Sequence, residues 1–310
     1  TRFQFGAPLA DKELVRQRIA RMSAYDYAMD SVLYFTTGML DRKDDDIQVE
    51  TAVCKVFCSE YGYRVVNDAL QIMGGESYMT ENEVERIFRD SRINLIVEGA
   101  NEVMQAYIFG YGGKQLAERM LGVKNAMTWE GDGSEQSIGS KIGRLVKNTF
   151  NTKIMSAAIP LGMEIFLGMR PSPTVLNKVS PVLRPHADRL SELTRDLSYY
   201  FKVMSKRYDV RILDRQAVQA RMADMAILLH AWACTLSKLD LDLRSHGNNG
   251  AADTEFQRDK AAALHFFDLA EVEFRDRVRN LYENADDTML TAADASMKHA
   301  DAQPASDFVI

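Results

Sequence analysis

Apolar residues recur along this chain at helical rather than strand spacing. Val15, Ile19, Met22, Met29 and Leu33 follow one another at steps of three, four or their sum, with Asp26 interrupting the stripe. The pattern predicts a helix from Asp11, its N-cap, to Leu40, before the charged turn at 41–46. A second helix is expected over 47–72, with Val49, Ala52, Val53, Val56, Val65 and Leu70 facing inward and Gly74-Gly75 ending it. A short, heavily charged helix follows over 81–92. Asn101 is placed to cap a further helix over 103–121.

Residues 122–143 are rich in Gly, Ser and Asp and read as a linker. Beyond them, Ile142, Leu145, Val146, Phe150 and Ile154 alternate with Lys141, Arg144, Lys147 and Lys153, a basic amphipathic helix running to about 169. Two readings of that stretch stand side by side: contact with an anionic membrane or a partner helix, and ordinary core packing. The strongest helix lies over 211–244. There Val218, Met222, Met225, Leu229, Trp232, Leu236 and Leu239 step 4,3,4,3,4,3, a heptad-like seam suited to antiparallel bundle packing. Gly247-Asn248-Asn249-Gly250 ends it, and a last helix spans 253–283. No strand run of period two and no internal repeat is present. The expected fold is all-α: one bundle over residues 1–121, a linker over 122–140, and a second helical bundle domain over 141–310.

Composition narrows the function classes. The chain has 310 residues, 46% hydrophobic and 26% charged, which suits folded domains. Its net charge of −6 and the lack of Lys/Arg clustering argue against a nucleic-acid partner. Cys54, Cys58 and Cys234 form no disulfide framework, which fits a reducing compartment. His186, His230, His246, His265 and His299 show no metal-ligand spacing, so no metal site is expected. The longest apolar stretch, 157–169, is broken by Pro160, Gly162 and Glu164 and is too short to span a bilayer. The chain opens on Thr1 and is structured from residue 2 onward, so it is expected to be a piece of something longer.

The informative residues lie between 71 and 102. Gln71-Ile72-Met73-Gly74-Gly75 is followed by Val84-Glu85-Arg86-Ile87-Phe88-Arg89-Asp90, then by Glu98-Gly99-Ala100-Asn101-Glu102. At the other end stands Arg2-Phe3-Gln4-Phe5-Gly6. Each piece alone is weak. Four in order over about 100 residues resemble the C-terminal helical domain of acyl-CoA dehydrogenases. The nearly 190 residues beyond Leu121 resemble the extension of the family's very-long-chain branch and its assembly-factor relative. In that branch a segment like Ile212-Leu213-Asp214-Arg215-Gln216 also recurs.

The resemblance implies FAD-dependent α,β-dehydrogenation of long-chain acyl-CoA thioesters in fatty-acid β-oxidation. A carboxylate takes the α-proton and the flavin takes the β-hydride. Glu98 aligns with the catalytic base. Ile93, Leu95, Ile96 and Val97 precede it, an apolar setting that raises a carboxylate's basicity, and Gly99 leaves room for substrate. The Glu98 amide is implied to bind the thioester oxygen together with a flavin hydroxyl. Arg2 and Phe5 match residues that approach FAD, and an arginine fork suits its phosphates. Gln71, Gly74 and Gly75 match a segment against the neighbouring subunit's FAD, and Asn101 would face the cofactor of its own subunit. Glu102 is the competing carboxylate, inside the next helix. Arg89 and Asp90 read as structural.

While the basic amphipathic pattern itself carries the expectation of peripheral membrane contact through 141–154, the resemblance further implies an electron-transferring flavoprotein as acceptor and a homodimer. It places the protein in the cytoplasm of a bacterium, or in the mitochondrial matrix or at its inner membrane in a eukaryote. The chain departs from the family pattern in three places: Ala100 replaces a threonine, Glu76-Ser77-Tyr78 replaces a small turn, and Val97 replaces an aromatic residue. A non-catalytic scaffold or assembly factor on the same fold is the alternative reading, and an acyl-CoA oxidase a third. With so little of a flavin site in the chain, it is expected to bind FAD poorly alone.

Overall fold

A computed structural model describes residues 2–128, 152–246 and 253–301. Within them stand ten α-helices and one two-stranded hairpin, so the fold is all-α. The hairpin pairs β1 (Phe3–Gln4) with β2 (Ala7–Pro8) in antiparallel register. The first helices are α1 (Glu13–Arg42), α2 (Gln48–Met73), α3 (Glu83–Arg92), α4 (Asn101–Gly112) and α5 (Lys114–Thr128). Then come α6 (Thr152–Leu167), α7 (Arg184–Tyr208), α8 (Gln216–His246), α9 (Thr254–Tyr282) and α10 (Asp286–Asp301).

Most expected helices appear within two residues of their predicted ends, and the differences have physical causes. Asp11 does not cap α1. It closes a short 3-10 turn over Leu9–Asp11, and Lys12 occupies the cap position. The single helix expected over 103–121 is two, α4 and α5, broken at Gly113. A Cβ there would lie 2.4 Å from Cε2 of Phe201 on α7, so only glycine admits that ring against the backbone. Residues 122–128, expected as linker, are the last turns of α5. The remainder of the expected linker, residues 141–151 of the basic amphipathic stretch, and the glycine-rich stop at 247–250 lie outside the described residues. Helices α7 and α10 add to the predicted set.

The heptad-like seam of α8 is buried along its whole length, from Val218 and Met225 at 0% exposure to Leu229 at 6%. The face α1 turns inward differs from the predicted stripe. Ala24, Tyr25, Tyr27, Ala28, Ser31, Val32 and Thr36 are buried, while Ile19 and Leu33 are exposed. One hydrophobic core runs from Ala24 of α1 through α2, α4, α7 and α8 to Leu281 of α9. The two halves of the chain therefore share a core. Polar contacts stitch the same seam: Tyr25, Tyr61 and Arg64 all donate to Glu273, at 2.9, 2.7 and 3.0 Å. Asp224 of α8 accepts from Gln105 at 2.6 Å and from Arg277 at 2.8 Å. Burial pushes the Asp224 carboxyl above its usual range, against the pull of those two partners. No helix among the described residues is long and apolar enough to cross a membrane.

Candidate active site

Helix α2 organises both groups of candidate residues. Its C-terminal end turns at Gly74, where φ is +70°. The buried Ser77 hydroxyl donates at 2.7 Å to the carbonyls of Leu70 and Gly74, satisfying oxygens the helix leaves open. The sequence departure at Glu76-Ser77-Tyr78 is thus a closure of the turn. Arg2 reaches this end: a Cβ on Gly74 would lie 3.6 Å from Arg2 Nη1. Arg2 also fixes its own strand, its carbonyl accepting from Leu9 N at 2.9 Å. Gln71 and Gly75 are exposed beside it. Phe5 sits at the hairpin tip with φ +55°, followed by Gly6 at +76°, the sense of a type I′ turn. Its ring is 86% exposed.

The second group lies near the middle of α2. Between Lys55 and Gln71 the helix rises on the order of 24 Å, so the two groups are well separated. Glu98 adopts φ +56° and Gly99 φ +90°. A glutamate in the left-handed region costs about 1–2 kcal/mol, so surrounding contacts must impose that turn. Lys55 supplies them. Its Nζ donates to the Gly99 carbonyl at 2.7 Å and to Asn101 Oδ1 at 2.5 Å. Asn101 is 3% exposed, and its amide nitrogen donates to Ser59 Oγ at 3.0 Å and Glu60 Oε1 at 2.8 Å. Desolvation lowers the Lys55 ammonium below its usual range, with Glu60 and Glu102 pulling the other way.

These contacts correct one expectation. Asn101 is the first residue of α4 and does not cap it; the cap position is Ala100, and the Asn101 side chain turns back to α2. The carboxylate Glu98 is exposed, as are Ile93, Ile96 and Val97. The described residues therefore do not bury it as the preceding apolar run suggested. Arg89 pairs with Glu85 at 3.4 Å on the surface of α3, in a structural role. Lys55, Ser59 and Glu60 are functional candidates the sequence reading missed. Their one visible signal is the recurrence of polar groups beside the core residues Val56 and Phe57 on a helix that packs inward.

The two groups differ in what they can hold. Arg2 stands beside the Gly74-Gly75 turn, with open space around the Gly75 Cβ position, so that its guanidinium can meet a phosphate-bearing ligand there. The Glu98 turn presents a carboxylate and a neighbouring amide, suited to removing a proton beside a carbonyl. Among the described residues no group of three or more His, Cys, Asp or Glu side chains converges as a metal site. The three cysteines are free thiols. The neighbouring Cys58 one turn along α2 holds the Cys54 thiol below its usual range.

Residues 1–109 match the family model of the acyl-CoA dehydrogenase C-terminal domain. The chain is 28% identical over 246 residues to the mitochondrial very long-chain specific acyl-CoA dehydrogenase of Mus musculus, covering 78% of this chain and 34% of that protein. To its counterpart from Macaca fascicularis it is 27% identical over 291 residues, 91% of this chain and 41% of the relative. A probable acyl-CoA dehydrogenase of Mycobacterium tuberculosis is 36% identical over 117 residues, 34% of this chain and 18% of its own length. Among solved structures, an acyl-CoA dehydrogenase complexed with FAD from Bacillus anthracis superposes with a TM-score of 0.62 at 20% identity. That likeness covers 94% of this chain and 46% of the other, and it shows the fold. The chain thus spans less than half the length of these relatives.

Proposed function

We propose that this chain serves in FAD-dependent α,β-dehydrogenation of long-chain acyl-CoA thioesters, with Glu98 as the base. The observation that carries the reading is the Glu98 turn: a carboxylate on strained backbone, pinned from α2, inside the segment that matches the family domain. Bound FAD would supply the acceptor for the β-hydride. The chain's own residues do the rest. The Glu98 carboxylate removes the α-proton, and its backbone N–H donates to the thioester oxygen as negative charge gathers there. Gly99 keeps the approach to that carbon free of a side chain. Arg2, Phe5 at the hairpin tip, and the Gln71–Gly74–Gly75 end of α2 would hold FAD phosphates and nearby atoms. Their distance from the Glu98 turn supports two cofactors meeting one chain across a homodimer.

The reading extends to the electron-transferring flavoprotein as acceptor, to β-oxidation as the setting, and to peripheral membrane contact through 141–154. On this reading the protein works in a bacterial cytoplasm, or in the mitochondrial matrix or at the inner-membrane surface of a eukaryote. In the full-length protein, palmitoyl-CoA added without oxygen is expected to bleach the flavin, and Glu98→Gln to abolish bleaching while FAD stays bound. Bleaching at the parent rate in Glu98→Gln would defeat the base assignment. A folded full-length protein that takes up no FAD would favour the scaffold, and peroxide formed under air the oxidase.

A further inference from the structure

Lys55 is held in a place that helix stability does not explain. Its ammonium sits at the N-terminal end of α4, donating to the Gly99 carbonyl just ahead of the helix and to the Asn101 side chain within it. A helix N-terminus carries partial positive charge and favours anions, so a cation there is set against the field. The ammonium is also partly withdrawn from water. Glu60 and Glu102 offset the charge, and Ser59 and Glu60 complete the Asn101 amide's hydrogen bonds. A costly group with every hydrogen bond directed at one short turn points to a task at that turn. The turn is the strained pair Glu98-Gly99, both with positive φ.

Resting on the base assignment of Glu98, we infer that Lys55 is a positioning residue for the dehydrogenation, fixing the direction of both the Glu98 carboxylate and its amide by tying down the Gly99 carbonyl. Lys55 acts through one peptide group: with the Gly99 carbonyl held at 2.7 Å, rotation of the neighbouring dihedrals is blocked and Glu98 keeps its left-handed conformation. Asn101 serves as the second anchor, which ties the same ammonium to the first turn of α4. The aim of a base matters steeply, because a displacement of about 1 Å can lower a rate by roughly 100-fold. The positioning role also accounts for Asn101 facing α2, away from the cap position the sequence suggested.

The test uses the full-length, FAD-loaded protein and the variants Lys55→Met, Lys55→Arg and Glu98→Gln. Lys55→Met is expected to lower kcat roughly 10- to 100-fold with KM within about threefold. Hydrogen exchange should speed up in peptides covering 98–104 and stay unchanged in α8. Lys55→Arg, which keeps a cationic donor, should recover part of kcat. Should Lys55→Met fail to fold, Lys55→Gln decides by the same kcat-against-KM split. Parent kcat and unchanged exchange in a folded Lys55 variant, with Glu98→Gln inactive, would overturn the positioning role alone. An active Glu98→Gln would overturn the base assignment and this inference with it.

Discussion

Glycine at 99 is required by its surroundings, and glycine at 75 is not. Gly99 takes φ +90°, a region that side-chain-bearing residues rarely enter, and a Cβ there would meet Met104 Cε at 2.6 Å. A Cβ at Gly75 would meet nothing within 4 Å beyond its own chain neighbours, and its φ is ordinary. Gly99→Ala is therefore expected to lower stability by about 1–2 kcal/mol, and Gly75→Ala to stay within about 0.5 kcal/mol, in thermal unfolding. The Met104 side chain can yield, so the backbone contribution should dominate the Gly99 loss. Equal effects at the two positions would mean that the left-handed turn is not imposed by the fold. The motif around Glu98 was readable in the chain, down to the glycine that follows it. Its support was not: Lys55 and Asn101 are 46 positions apart, and nothing local in either residue names the other.

At the scale of helices, periodicity is a good guide where one helix is surrounded by others and a poor one where small or polar residues do the packing. Helix α8 is surrounded, and all seven residues of its 4,3,4,3,4,3 seam are buried. Met225→Ala, at 0% exposure, should cost about 2–5 kcal/mol, whereas Leu241→Ala on the same helix, at 66%, should cost less than about 0.5 kcal/mol. Chemical denaturation of the two variants measures both. Helix α1 shows the other case. Its inner face carries Ala24 and Ala28, which admit close approach, and Tyr25 and Tyr27, whose hydroxyls reach Glu273 and Asp242. A ranking by hydrophobicity puts Ile19 and Leu33 inside instead. Helix α7 hides from periodicity for a similar reason: its buried face includes Ser191 and Lys202, the latter paired with Glu164 at 2.7 Å. A lysine in a core is intelligible only with its partner in view.

For the whole molecule, the shared core decides how stability is distributed. The chain divides in sequence at an interval of Gly, Ser and Asp, yet α1 and α2 bury their aromatic residues against α8 and α9 rather than only against each other. Tyr25 stacks edge-on against Tyr61, Tyr61 lies 4.4 Å from Phe57, and Phe57 meets Phe266 of α9 at 5.9 Å. Glu273 closes this aromatic column from the α9 side. Desolvation, first, and the adjacent Glu273 carboxylate hold both phenols protonated well above their usual range, so the tyrosines donate and the glutamate accepts. Removing the carboxylate strands two buried hydroxyls and one guanidinium together. Glu273→Ala should therefore lower global stability by about 3 kcal/mol. Glu83→Ala, which breaks an exposed pair with Arg86 on α3, should change it by less than about 0.5 kcal/mol. Because the lost contacts bridge both halves, amide exchange should accelerate in α1 and α2 as well as in α9. Acceleration confined to α9 would show that the halves are stabilised separately, and the shared core would then be contact without cooperation.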